Sequence, residues 1–331
     1  MPRVSILIVT YNNASQIQRC LTAVAAQDFS DFDVVVIDNA STDGTPDRIT
    51  LPDSRFSLVR NADNTGFAAA NNQAAAATRS EFIATLNPDA YPARDWLQCL
   101  IDAADAHPAA AFGSTQISDA DPARYDGLGD TFWIGGLYWR GGYGQRVQPE
   151  SPPGLSEVFA ACAAAALYRR ADFEALSGFD EGFFCYGEDV DLSFRLRMAG
   201  RQVLQVGAAE VRHEGYASSA RHSDFAAHHG SRNRVWVWLK NMPAVLMVPL
   251  LPLFILTQTA MALRDLAMLR PAALRGLVAA IGGLGPVWRQ RRIVQKQRRA
   301  RIGDLLRIMA VSPHRLLTRD ALTRPVGQRD S

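Results

Sequence analysis

The residues of this 331-residue chain that could do chemistry fall into short polar clusters, each placed after an apolar run. Thr10-Tyr11-Asn12 follows Val4 to Val9, Asp38-Asn39-Ala40-Ser41-Thr42-Asp43-Gly44 follows Phe32 to Ile37, and Asn87-Pro88-Asp89 follows the run that ends at Leu86. Asn, Asp, Ser and Gly are ordinary turn formers and helix caps, so each cluster alone reads as a turn. Three such clusters at successive strand ends favour a site, because open α/β sheets bind ligands at their carboxyl edge. The chain has no Gly-x-Gly-x-x-Gly after its first strand and no Gly-x-x-x-x-Gly-Lys-Ser/Thr, the two usual phosphate cradles. A diphosphate would need a different partner. A divalent cation, Mg2+ or Mn2+, held by a hard oxygen ligand such as Asp89 would serve.

A fourth cluster, Glu188-Asp189-Val190-Asp191, opens a helical stretch that ends at Gly200, where glycine suits a left-handed cap. Acids at that position complement the helix dipole and cap free N–H groups, which explains one or two of them. Successive helical residues point about 100° apart, so Glu188 and Asp191 share a face while Asp189 points elsewhere. One acid can then face a substrate while the others support it. His213, at the end of a short β-like run, reads by itself as a hydrogen-bonding structural residue.

The elements that must position these groups alternate. Near-continuous apolar strands at Val4 to Val9, Phe32 to Ile37, Phe56 to Val59 and up to Leu86 are separated by helical spacing at Ala14 to Ala26 and from Gly66 to about Ala77. That pattern predicts a parallel sheet covered on both faces, a doubly wound α/β half over the first ~115 residues. From Asp119 to Gly154 the glycines and interleaved aromatics predict loops or short antiparallel strands. Val203 to Val206 predicts one more strand, leading through Glu210-Val211-Arg212 to His213.

The formal net charge of +2 hides an asymmetry. The segment from Arg264 to Ser331 holds 15 Lys/Arg against 4 Asp/Glu, which leaves 20 against 29 of the totals of 35 and 33 for the rest of the chain. A basic tail on an acidic body suits an anionic partner, either lipid head groups or nucleic acid. Asn241 to Leu263 carries no charge and is long enough to span a bilayer, while Pro243, Pro249 and Pro252 would break or kink such a helix. An interfacial or re-entrant helix pair is the favoured reading, with a span and a buried soluble helix as alternatives. The apolar stretch before the arginines from Arg289 to Arg301 favours lipid over nucleic acid. Cys20, Cys99, Cys162 and Cys185 stand far apart, which suggests neither a disulfide scaffold nor a zinc site and fits a reducing cytoplasm. The start of the chain lacks the pattern of a secretory signal.

Taken in order, Val4 to Asn12, Asp38 to Gly44, Asn64-Thr65-Gly66-Phe67 and Leu86-Asn87-Pro88-Asp89 resemble the family 2 glycosyltransferases. Tyr168-Arg169-Arg170, Gly178-Phe179-Asp180-Glu181, Phe184 and Tyr186 to Leu192 resemble the acceptor-side block of that family, with His213 and Arg232-Asn233 following. The resemblance covers about residues 3–240 and is nearest to the rhamnosyltransferase-like branch. It implies a GT-A fold, a Rossmann-like doubly wound mixed sheet with helices on both faces, here with a C-terminal helical extension. The implied division is a catalytic domain over 1–240, with a nucleotide-sugar half to about 115 and an acceptor half over 116–240. A membrane-associating extension over 241–331 follows it.

The resemblance further implies that Thr10, Tyr11, Asn12, Asp38 and Ser41 surround a nucleoside and that Asn64, Gly66, Phe67 and Asn71 line its ribose and diphosphate. Asn87 to Asp89 stands for an Asp-x-Asp metal motif whose first acid is replaced here by Asn87, so Asp89 supplies most of the anionic ligation and His213 completes the cation site. Asp189 is the implied base, with Glu188, Asp191 and Arg232 acceptor-side or supporting. Cys162 lies near a Gly-Ala pair of relatives and reads as packing. The implied partners are a nucleoside-diphosphate sugar, dTDP-rhamnose being one donor the branch admits, and a saccharide or polyprenyl-diphosphate-linked acceptor. The implied place is the cytoplasmic face of the membrane, without nucleic acid. The alternative is a non-catalytic sugar-nucleotide-binding or scaffold subunit that keeps the fold.

Overall fold

The computed structural model describes residues 1–147, 154–215 and 223–326. Thirteen strands form among them: β1 (Val4–Thr10), β2 (Phe32–Asp38), β3 (Phe56–Arg60), β4 (Phe82–Leu86), β5 (Ala90–Pro92), β6 (Ala111–Ser118), β7 (Tyr125–Gly127), β8 (Asp130–Trp133), β9 (Leu137–Arg140), β10 (Leu155–Glu157), β11 (Ala165–Arg169), β12 (Val203–His213) and β13 (Arg324–Pro325). The principal helices are α1 (Ile17–Ala25), α2 (Thr45–Arg48), α3 (Gly66–Ala76), α4 (Trp96–Ala106), α5 (Arg170–Ala175), α6 (Glu188–Met198), α7 (Asp224–Asn241), α8 (Ala244–Ala267), α9 (Pro271–Gly282), α10 (Leu284–Lys296), α11 (Ile302–Ile308) and α12 (His314–Thr318).

The main sheet runs β13-β10-β12-β6-β11-β4-β1-β2-β3, with β5 on β12 and β7 on β6, while β8 and β9 pair separately as an antiparallel hairpin. The strands β4, β1, β2 and β3 are parallel, as their alternation with helices implies. Beyond β4 the sheet becomes mixed, because β11 inserts antiparallel between β4 and β6. The continuous apolar character of β1 follows from burial on both faces. Val4, Ile6 and Ile8 pack with Ile17, Leu21 and Trp96 on one side, and Leu7 and Val9 with Ala68, Ala74 and Leu192 on the other.

A third core joins the tail to the body. Phe132, Phe159 and Phe194 cluster there with Trp238, Phe254, Leu305 and Ile308. The Trp238 indole stacks on Phe254 at 4.0 Å and donates to the Ile134 carbonyl at 2.9 Å, fastening α7 and α8 to the β8–β9 hairpin. Of the three prolines expected to break or kink the apolar stretch, Pro243 does separate α7 from α8, but Pro249 and Pro252 do not end the helix: α8 is one helix of 24 residues through both. Each proline frees only the carbonyl four residues earlier, those of Val245 and Val248. Both of those residues lie on the exposed side, at 61% and 70% exposure, so no buried acceptor is orphaned.

Candidate active site

The carboxyl ends of β1, β2 and β4 open on a cavity of about 550 Å3 lined by Tyr11, Asn39, Asn64, Phe67, Asp89 and His213, among others. The loops after β1 and β2 brace each other across it. Asn12, at φ 56°, donates its N–H to Ser41 Oγ at 2.9 Å, and Asn12 Oδ1 accepts from the Thr42 N–H at 2.8 Å. Thr10 and Asp38 are buried behind these loops, and Asp38 Oδ2 accepts from the Ser41 N–H at 3.3 Å. The amide of Asn39 holds the next wall, donating to Asn64 Oδ1 at 2.8 Å and accepting from Asn61 Nδ2 at 3.0 Å and the Thr65 N–H at 3.2 Å. Gly66 sits at φ +85°, and a Cβ there would stand 2.6 Å from Phe184, so only glycine lets this loop reach the wall. Asn71 is fully buried and donates to the Phe67 carbonyl at 2.9 Å, so it steadies the start of α3 from behind.

The strand β12 places His213 beside Asp89. Its register shifts between Val206 and Glu210, after which it pairs with β5 so that His213 lies opposite Ala90. Asp89 Oδ1 then stands 3.3 Å from His213 Nε2, and Asn87 Nδ2 stands 3.5 Å from the same nitrogen. The other ring nitrogen, Nδ1, bonds Asp126 Oδ2 at 2.7 Å, and Arg140 forms an ion pair with that carboxylate. Burial pushes the His213 imidazole down, but its bonds to Asp126 and Asp89 outweigh burial and hold its pKa above the usual value.

This donor set fits a hard divalent cation. Two cis ligands of an octahedral ion at about 2.1 Å lie about 3 Å apart, close to the separation of Asp89 Oδ1 and His213 Nε2. A carboxylate on the far ring nitrogen is the usual device for orienting a metal-bound imidazole. Asp126 and Arg140 were not selected from the sequence. Asp126 lies in the aromatic and glycine-rich stretch read as loops or short strands, and nothing in its spacing ties it to His213.

Asp189 stands in a second acidic group with Asp130 and Cys162, whose ligand atoms all lie within 4.8 Å of one another. Both of its oxygens are fixed: Oδ2 accepts from the Ala163 N–H at 3.1 Å and Oδ1 from its neighbour Val190 at 2.8 Å. Burial pushes its pKa up, and those two hydrogen bonds resist the shift. Burial, and then the charge of Asp189, push Asp130 and Glu188 well above the usual carboxylate range. Cys162 is buried, and burial raises its thiol to about 12, which makes it a packing residue without a thiolate to offer at neutral pH.

Asp191 points away from this group into the contact between helices. It accepts from Arg195 Nε at 2.8 Å, Lys240 Nζ at 2.9 Å and Asn241 Nδ2 at 2.8 Å. Burial opposes its charge, but Lys240 and Arg195 hold its pKa below the ordinary value. Arg232 likewise supports: it donates to the carbonyls of Gly182 and Phe183 and lies over Trp236. Its neighbour Asn233 donates to the carbonyls of Phe183, Cys185 and Tyr186. These bonds fasten a loop in which Phe184 and Tyr186 both have positive φ, at 64° and 71°. The strained loop brings Phe184, Cys185 and Tyr186 to the cavity, while Asp189, three residues beyond Tyr186, is not among its lining residues.

The sheet order and its strand-end cavity define a GT-A fold, and solved glycosyltransferases of that fold superpose on the chain. A mannosyltransferase from Pyrobaculum calidifontis, determined with GDP-Man and Mn2+, is 21% identical, with a TM-score of 0.55 over 93% of this chain and 87% of its own. TarS of S. aureus is 16% identical, with a TM-score of 0.52 over 92% and 90%. Residues 5–176 match the family described as glycosyl transferase family 2, and the chain belongs to that family. Among curated proteins it is similar to an N-acetylglucosaminyl-diphospho-decaprenol L-rhamnosyltransferase of Mycobacterium tuberculosis. The two are 29% identical over 68% of this chain and 81% of the relative.

Proposed function

We propose that this glycosyltransferase moves a sugar, with inversion, from a nucleoside-diphosphate sugar to a saccharide carried on a polyprenyl diphosphate. The observation that carries the reading is the strand-end cavity, in which Asp89 and His213 converge beside Tyr11, Asn39 and Asn64. Thr10, Asn12, Asp38 and Ser41 shape the nucleoside end, and Asn64, Gly66, Phe67 and Asn71 the ribose and diphosphate side. Mg2+ or Mn2+ at Asp89 and His213, with Asn87 beside them, would stabilise charge on the departing diphosphate. In the displacement the acceptor oxygen bonds to the anomeric carbon as the bond to the diphosphate oxygen breaks. Asp189 takes the acceptor proton as the new bond forms, since a sugar hydroxyl is too weak an acid to ionise beforehand. The M. tuberculosis relative, by its name, acts on a diphospho-decaprenol-linked sugar, which supports dTDP-rhamnose among the donors and a lipid-linked acceptor here.

The extension supports attachment to a membrane surface. Val248, Leu251, Ile255 and Leu263 are exposed along α8, an apolar helix of 24 residues that is mostly unburied. The same helix packs Phe254 into the third core and buries Asp265, which favours a helix lying on the bilayer over one crossing it. The test is a panel of nucleotide sugars, with Mn2+, Mg2+ or EDTA, offered with an N-acetylglucosaminyl polyprenyl diphosphate in anionic vesicles. Product with one donor, lost in EDTA, is expected. Full activity in EDTA removes the metal, and no product with any donor removes the reading.

A further inference from the structure

A second cavity, of about 600 Å3, adjoins the first and shares Arg140 and Tyr186 with it. Its lining differs in chemistry. Five guanidinium groups, from Arg140, Arg234, Arg264, Arg270 and Arg319, border it against one carboxylate, Asp265. Asp265 is bonded to Arg264, and Arg140 to Asp126, so two of the five charges are answered. Arg234 is not answered in this way. It is only 9% exposed, its Nε donates to Gln258 Oε1 at 2.9 Å, and its buried Nη2 has no hydrogen-bond partner. A buried guanidinium nitrogen without an acceptor is costly unless an anion completes it. The buried hydroxyl of Tyr138, on the same wall, also has no partner.

The lining comes from two different surroundings. Tyr138 abuts Gly187, where a Cβ would lie 2.3 Å from its hydroxyl, two residues before Asp189. Met261 and Arg264 of α8 and Arg270 also line the cavity, and Leu263 and Leu266 of the same helix are exposed apolar side chains. Anion-binding groups therefore stand between the base proposed above and an apolar surface.

We propose that this second cavity binds the diphosphate of the lipid-linked acceptor, with Arg234 as its buried anchor and Arg270 and Arg319 at its mouth. The inference rests on the donor and acceptor classes proposed above. The bound diphosphate places its sugar toward Tyr138 and Tyr186, near the donor cavity, and its hydrocarbon chain along α8. Guanidinium forks suit this role because they bond phosphate oxygens in pairs.

The test uses the full chain and farnesyl diphosphate as probe, with the donor cavity kept filled by Mn2+ and the nucleoside diphosphate that the donor panel selects. If the panel selects none, the reading of the function has failed, and not this inference alone. Calorimetry should show farnesyl diphosphate binding to the filled protein and farnesol binding at least tenfold more weakly. Arg270→Gln with Arg319→Gln, both near the surface, should weaken the probe by about tenfold or more, the worth of a charge-assisted hydrogen bond. Arg234→Gln should weaken it further, and in both variants the nucleoside diphosphate should bind within about twofold of the parent. Probe affinity unchanged in the Arg270/Arg319 variant overturns the proposal, as does competition between probe and nucleoside diphosphate. So does loss of binding only to phosphatidylglycerol vesicles, which would assign the arginines to phospholipid head groups.

Discussion

Two acidic regions flank Arg140, and they are built on opposite electrostatic plans. Around His213 the charges alternate: Asp89, imidazole, Asp126 and guanidinium follow one another within hydrogen-bonding reach. Around Asp189 the carboxyl groups of Asp130 and Glu188 gather in a buried setting, and their pKa values rise. The first plan sets a carboxylate against each nitrogen of one imidazole, an arrangement that suits a site for a cation. The second favours proton uptake, which suits a site where a proton must be taken from a hydroxyl. The difference teaches that acid content alone does not define a metal site, since the partners of each acid decide whether it stays charged.

The sharpest way to break the contrast is Asp189→Asn. We expect kcat to fall by roughly 10²–10⁴ while donor affinity stays within a few fold, the pattern of a lost base. Steady-state kinetics with direct donor titration separates the two quantities, and near-normal turnover would give the base to another acid. Because burial raises the pKa of Asp189, the acid limb of the rate profile should lie above the ordinary carboxylate range near 4.

Asp191→Ala tests whether the acid two residues further on belongs to the second plan at all. It leaves Lys240 and Arg195 buried around a missing charge, so unfolding in denaturant should show a loss of about 3–5 kcal/mol. A stable but inactive variant would instead make Asp191 a substrate-facing group.

Within the first plan, Asp126→Asn should reduce Mn2+-dependent binding of nucleoside diphosphate by about 10–100-fold, because it removes the carboxylate that orients His213. Asp89→Ala should do at least as much. Equal binding by parent and Asp126→Asn, measured by calorimetry with and without EDTA, would detach Asp126 from the cation.

The smallest effect concerns Asp130. A pKa raised in the folded state means that folding binds a proton more tightly there, so stability falls as pH rises from the unfolded value near 3.9 toward the folded one. Asp130→Asn removes that loss. Its melting temperature should exceed the parent's by a few degrees at pH 8, about 1 kcal/mol, and the gap should close by pH 4. A lower melting temperature for the variant at pH 8 would show that Asp130 is ionised and paired.

Much of the strand-end cavity was legible in local sequence, because strand ends and their loops are written in consecutive residues. The runs Val4 to Val9 and Phe32 to Ile37 and the clusters that follow them became β1 and β2 and the braced loops. The end of α6 at Gly200, at φ +81°, was equally local. The helical tail was less legible. Apolar length and proline content predicted a broken or kinked stretch, while α8 continues through Pro249 and Pro252, whose freed carbonyls belong to the exposed residues Val245 and Val248.

The sequence by itself determined the alternating elements, the polar strand ends and the acidic opening of α6, since these depend on neighbours in the chain. Only the tertiary structure decided that Asp126 orients a histidine 87 residues away, that Lys240 claims Asp191 from 49 residues away, and that Arg234 Nη2 is buried beside a cavity without a hydrogen-bond partner. The physical reason is that charge and burial at a carboxylate or guanidinium are set by groups brought together through space, and spacing along the chain carries no record of them.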